Sequence, residues 1–327
     1  MTSRRRALAI LGIGVALPQA LRAQAPKVVN VAVLFPGESD DDERAARPFF
    51  EEMARLGWEE GKNIAYDRHA SKGARPYLES LVGTAVGRTP DLIFATTASL
   101  AAATLKETKT VPVVFATASD PVAGGLVASL AKPGGNATGI YHVPSEAASK
   151  RYAMVRQLLP AKVKRLGAVF DRNAVDWQSR KAAHEKMART AGLELAATEF
   201  TNFEAIAKLL AQYKRDGVTA VEVTPSFALI GRRREVVGLA ERNGIALVAH
   251  RSEWADAGAV MTFGVDIGLG YRRAAGIVNR VLKGQSPAAI PVERANRYEL
   301  VVNQRAAATL GLDIPKTLQQ QASKVIT

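Results

Sequence analysis

The chain has 327 residues, is 47% hydrophobic and 23% charged, and carries a formal net charge of +13. That composition is ordinary for a folded globular protein, and the length exceeds the usual single core, so two lobes are expected. There is no cysteine, which excludes disulfides, thiolate metal sites, a cysteine nucleophile and a cysteine-linked lipid anchor.

Residues 1–25 read as an export signal. Arg4, Arg5 and Arg6 form a basic start, ALAILGIGVAL (7–17) an apolar core too short to span a bilayer, and AQA (23–25) a small-residue cleavage site. Cleavage after Ala23 or Ala25 is expected, and SRRRAL is also compatible with a twin-arginine signal. Arg4, Arg5, Arg6 and Arg22 would leave with it, which lowers the net charge. The other charges are spread out, GRRRE (231–235) being the only dense cluster. No nucleic-acid recognition motif is present, so no nucleic-acid partner is expected. The mature chain is expected to be soluble and periplasmic.

Short apolar runs then alternate with helical patterns. Strands are predicted at 28–35, 63–70, 91–96, 111–117 and 137–142, with helices at 41–58, 74–88 and 99–108 between the first four. The pattern restarts with a helix at 145–160. Strands follow at 165–171, 193–200, 218–224, 245–250 and 258–264, with helices at 176–192, 202–217 and 229–244. A helix at 268–284 and a strand at 297–303 close the chain. This alternation predicts an α/β fold of two doubly wound parallel-sheet lobes joined by a hinge near 142–145. The first lobe is expected to hold residues 27–142 plus about 265–290, and the second 143–264 plus about 291–327.

Doubly wound lobes bind ligands at the carboxyl ends of their strands. That rule selects the loops 36–42, 96–99, 117–121, 171–176, 224–229, 250–254 and 264–268. Thr96, Thr97 and Ser99 open a helix, where hydroxyls and free amides suit an anion, or simply cap the helix. Asp120 can receive an ammonium or hydroxyl, or cap its own turn. Ser39, Thr117, Asn173, Thr224, Phe227, His250 and Asp266 complete the candidate ligand contacts. Phe35, Phe227 and Trp254 are the candidate pocket aromatics. In ESDDDE (38–43), Ser39 and Asp42 read as a capping box rather than a metal cluster. His69, His142 and His184 read as surface or boundary residues, without metal-ligand spacing. No nucleophile elbow, zincin motif, P-loop or dinucleotide fingerprint occurs, so neither cofactor nor enzymatic activity is expected.

The glycine-rich stretch ASDPVAGGLVASLAKPGGNATGIYH (118–142) carries a resemblance. With LGWEEGKNIAYDRHASKGARPYLESLV, YRRAAGIVNRVLKGQSPAAIPVERANRYELVVNQRAAATLGLDIP and the tail ASKVIT, it resembles substrate-binding proteins of ABC transporters, tryptophan/tyrosine-type group. The resemblance implies a type I periplasmic-binding-protein fold that closes on a small molecule and delivers it to an ABC permease, its only link to the membrane. It implies an aromatic amino acid as ligand. Thr96-Thr97 departs from the family's Gly-Thr, which narrows the pocket. A sensory receptor of the same fold is the alternative reading.

Overall fold

The computed structural model describes residues 28–37, 39–142, 144–160, 163–174 and 177–327. The export-signal reading of residues 1–25, the place of Glu38 in the acidic cluster and the side chain of Ser39 lie outside what it describes.

The first lobe begins with β1 (Val29–Phe35), α1 (Ser39–Arg55), β2 (Ile64–Ala70), α2 (Leu78–Gly87), β3 (Leu92–Ala95), α3 (Ala98–Glu107), β4 (Val113–Thr117) and β5 (Ala137–Tyr141). The second holds α4 (Pro144–Leu158), β6 (Arg165–Asp171), α5 (Trp177–Thr190), β7 (Glu194–Phe200), α6 (Ala205–Arg215), β8 (Ala220–Val223), α7 (Phe227–Gly231), α8 (Arg233–Arg242), β9 (Ala246–Ala249), α9 (Ser252–Asp256) and β10 (Met261–Val265). The chain then returns to the first lobe with α10 (Ile267–Leu282) and β11 (Glu293–Arg294). It ends in the second with β12 (Tyr298–Asn303), α11 (Gln304–Thr309), α12 (Lys316–Gln321) and β13 (Lys324–Ile326).

The first sheet runs β11-β5-β4-β3-β1-β2, parallel throughout. The second runs β13-β12-β10-β9-β8-β6-β7, with only β10 and β12 antiparallel. Parallel strands need helices on both faces, and the inner strands β1, β3, β4 and β9 are accordingly largely buried and almost wholly apolar, while the edge strands β2 and β7 carry charged residues. In β1, Val31 to Phe35 are all buried. Val31, Val33 and Phe35 face α1 and α10, while Ala32 and Leu34 face α2 and α3. On α10, Tyr271, Ala274, Ala275, Val278 and Val281 recur every three or four residues and are buried, the stripe of a helix laid on a sheet.

Three crossings join the lobes: near His142, at Val265–Asp266 and at residues 295–297. The last corrects the expected boundary near 290. Glu293 and Arg294 still pair with β5 of the first sheet, against Ile140 and Tyr141. No described helix is long and apolar enough to cross a membrane.

The capping-box reading of Asp42 is also corrected. Its Oδ2 does accept the Gly37 N–H at 2.6 Å. The residue is buried, however, and Oδ1 accepts from Arg233 of the second lobe.

Candidate functional site

The lobes enclose a cavity of about 710 Å³ at the carboxyl ends of their strands. Both sheets point their parallel strands toward it, so strand-end residues from each lobe converge there.

The first lobe contributes Thr96, Thr97, Ser99, Thr117 and Asp120. Thr96 is buried and donates its hydroxyl to Leu34 O at 2.8 Å, so its role is partly internal. Thr97 caps α3, its hydroxyl oxygen accepting from Leu100 N at 3.3 Å. A helix leaves its first amides without intrahelical partners; Ala98 and Ser99, the residues that carry them, line the cavity. Thr117 shares a hydrogen bond with Ser119, 3.0 Å between hydroxyl oxygens. Asp120 Oδ1 accepts from Val122 N at 2.8 Å and Ala123 N at 3.1 Å. The turn-capping role is therefore present, on a carboxylate that also faces the cavity.

The second lobe contributes Asn173, Phe227 and His250, and Asp266 stands at the crossing. Asn173 donates to Asp171 Oδ1 at 3.0 Å and Thr201 O at 2.8 Å. Asp171, buried, also accepts from Ser226 Oγ at 2.8 Å, which ties the β6 and β8 loops together. Asp266 caps α10, accepting from Leu269 N at 2.9 Å. Phe227 packs among Leu78, Val82 and Leu126 of the first lobe, so the closed lobes share an apolar contact beside the cavity.

Three placements differ from expectation. Thr224 does not line the cavity; it is buried behind the wall, donating to Val169 O at 2.7 Å. Trp254 is fully buried in the core under β8 and β9. Phe35 belongs to the core beneath α1 and α10. Their apolar bulk is spent inside the lobes.

Asp171, Arg180, Ser226, Arg251 and Tyr271 line the cavity and were not singled out by sequence; His142, expected as a surface or boundary residue, is buried and lines it too. The first, third and fourth lie in loops the strand-end rule had selected. Arg180 and Tyr271 sit within helices, where nothing local marks them. Arg180 donates to Pro225 O at 2.6 Å. Arg251 is buried and ion-paired with Glu253. Burial opposes the charge of this guanidinium, and Glu253 and Tyr271 sustain it. Burial and the Arg251 guanidinium hold His142 down to about 3. His250 lies well below the usual histidine range through burial, Arg151 and Arg251. Both imidazoles are neutral near pH 7. Among the described residues no group of three or more His, Cys, Asp or Glu could hold a metal ion.

Two parallel lobes, three crossings and a cavity between them form a hinged trap for a small solute. The family model for ABC transporter substrate binding proteins matches residues 28–326. The chain belongs to that family. A relative in Clostridioides difficile (strain R20291), a tyrosine-binding protein, is 26% identical over 293 residues, covering 89% of this chain and 83% of that one. An ABC domain from Streptococcus pneumonia in complex with L-Trp superposes with a TM-score of 0.79 at 21% identity, over 92% of this chain and all of that one. A ligand-free, open substrate binding protein with adhesive properties from Clostridium difficile gives 0.63 at 22% identity, with the same coverage. As an ABC substrate-binding protein, this chain has a small-molecule ligand and an ABC transporter as its partners, and its family works by solute capture rather than catalysis.

Proposed function

We propose that the chain captures an aromatic amino acid and hands it to the permease of an ABC importer, after export and removal of the first 23 or 25 residues. The carrying observation is the division of the cavity. Thr97, Ser99 and the start of α3 suit the carboxylate of an amino acid, and Asp120 suits its ammonium. Ile140, Val265 and Phe227 supply apolar wall for a ring. The tyrosine-binding relative and the L-Trp complex support the same ligand class.

The test is calorimetry of the mature protein against the twenty amino acids, with turnover monitored. Saturable binding of aromatic members without turnover is expected. Binding confined to non-aromatic amino acids, or to none, overturns the reading. For export, mass spectrometry of the periplasmic protein should find an amino terminus at Gln24 or Pro26. A chain starting at Met1 in the cytoplasmic fraction would refute it.

A further inference from the structure

Two imidazoles face the cavity where the lobes join. His142 follows β5 at the first crossing, and His250 follows β9, which pairs with the crossing strand β10. Both line the cavity, and they are only 8% and 5% exposed. The backbones run close together here, since a methyl added at Gly264 would lie 1.7 Å from the His250 carbonyl oxygen.

The tautomers follow from the contacts. His250 Nδ1 lies 3.3 Å from Val223 O. A carbonyl only accepts, so Nδ1 carries the proton and Nε2 keeps its lone pair. The His142 ring makes no hydrogen bond within the described residues. Neutral, it offers one donor and one acceptor. Arg151, Arg251 and Glu253 are the charged groups around the two rings, and burial together with the arginines keeps both imidazoles unprotonated.

The His142 ring and His250 Nε2 have no protein partner among the described residues, so both are available to a ligand in the cavity. A hydroxyl completes both, donating to His250 and accepting from His142. An indole N–H completes only an acceptor, and a phenyl edge neither. Ala116, Ile140 and Val265 beside them are apolar and suit the ring that would carry the hydroxyl. We propose that His142 and His250 are specificity-determining residues that grip the hydroxyl of a phenol-bearing ligand, ranking phenol above indole and indole above phenyl. This rests on the aromatic-ligand reading above and adds which aromatic ligand the site prefers, and through which side chains.

The experiment pairs each ligand with its analogue lacking the hydroxyl: tyrosine with phenylalanine, tyramine with phenethylamine, 4-hydroxyphenylpropionate with phenylpropionate. Calorimetry at pH 7.5 on the intact protein should show the hydroxylated member binding roughly tenfold to a hundredfold tighter. In the double variant His142→Leu/His250→Leu that preference should vanish, chiefly by loss of affinity for the hydroxylated member. His250→Gln, which keeps an acceptor, should retain most of the preference, and thermal melts of each variant check the fold. Equal affinities in the parent protein overturn the proposal without any variant. So does a preference that survives in the double variant. If only the tyramine or phenylpropionate pair binds, with the preference intact, the amino-acid reading fails and the histidine assignment stands. Amino acids bound without hydroxyl preference give the reverse, and no binding of any pair overturns both.

Discussion

Asp42 and Arg233 join the two lobes through a buried ion pair, 2.9 Å from Nη1 to Oδ1, with side chains only 8% and 6% exposed. Asp42 stands on α1 of the first lobe and Arg233 opens α8 of the second. The guanidinium also donates to Ile230 O at 3.0 Å. Burial pushes the Asp42 carboxyl up, against the pull of Arg233, the Gly37 amide and Arg251. The pair bridges the lobes, and any opening that parts α1 from α8 breaks it.

Removing one partner of a buried pair typically costs about 3–5 kcal/mol, because the other charge is stranded. A hinged protein has an escape: opening returns that charge to water. Arg233→Met should therefore leave both lobes folded but shift the apo-protein toward open forms. Ligand binding should weaken about tenfold to hundredfold, and small-angle scattering should show a larger apo radius of gyration. Asp42→Leu/Arg233→Met, which removes both charges, should recover most of the affinity. An Arg233→Met protein with unchanged radius and affinity would show that the pair does not control closure.

The lobes also meet backbone to backbone. A methyl added at Gly231 would lie 2.3 Å from Pro36 O and 2.4 Å from Gly73 Cα. Those atoms belong to the opposite lobe and have no side chain to swing aside. Gly231→Ala should hold the lobes apart and weaken ligand binding at least tenfold, while unfolding of the second lobe stays within about 1 kcal/mol. The control is Gly276→Ala on α10, where nothing lies within 4 Å of the added methyl; there helix propensity predicts a gain of about 1 kcal/mol or less. Denaturant titration and calorimetry measure both. Equal ligand affinity in the two variants would remove Gly231 from the closing surface.

The alternation of strands and helices was legible because β3 and β9 are continuous apolar runs, and β1 is one from Val31 to Phe35. Strands β11 and β13 were not, having only two and three residues and no period to detect. The predicted single helix 229–244 is two, α7 and α8, broken at Arg232 with φ −120° and ψ 31°. Ser226 caps the first of them one turn earlier than the apolar spacing implied. In the site, strand-end position found Thr97, Asn173 and His250, which the loops carry directly. It gave no warning of the Asp42–Arg233 pair, since partners 191 residues apart leave no local pattern. Trp254 misled because bulk after a strand reads alike whether it turns to the cavity or to the core.

The two cavity-lining histidines predict an acid limit to stability. In the unfolded chain each titrates near 6.5; in the fold His142 is held at about 3 and His250 well below its usual range. Below pH 6.5 the unfolded state therefore binds more protons than the native state, and stability falls as pH falls. The loss per histidine approaches about 1.4 kcal/mol for each pH unit and continues for His142 toward pH 3. Denaturant midpoints measured between pH 7.5 and 4.5 should decline in the parent protein. The decline should be shallower in His142→Leu/His250→Leu. Parallel curves would mean that other groups set the acid limit.

Asp120 can be separated into its two roles by chemistry rather than by deletion alone. Its Oδ1 holds the turn through Val122 N and Ala123 N, and an asparagine carbonyl oxygen can accept the same two bonds. What asparagine lacks is the negative charge offered to a ligand's ammonium. Asp120→Asn should therefore keep the apo melting temperature and weaken amino-acid binding. Asp120 is exposed, so loss of the charged contact should cost about 0.5–1.5 kcal/mol, or roughly twofold to tenfold in affinity. Asp120→Ala should weaken binding comparably and also lower the melting temperature, because the turn loses its cap. The ligand series sharpens the contrast: a ligand without the ammonium, such as 4-hydroxyphenylpropionate, should bind Asp120→Asn no worse than it binds the parent. If Asp120→Asn binds amino acids like the parent while Asp120→Ala only melts earlier, Asp120 is a turn residue and the ammonium is held elsewhere in the cavity.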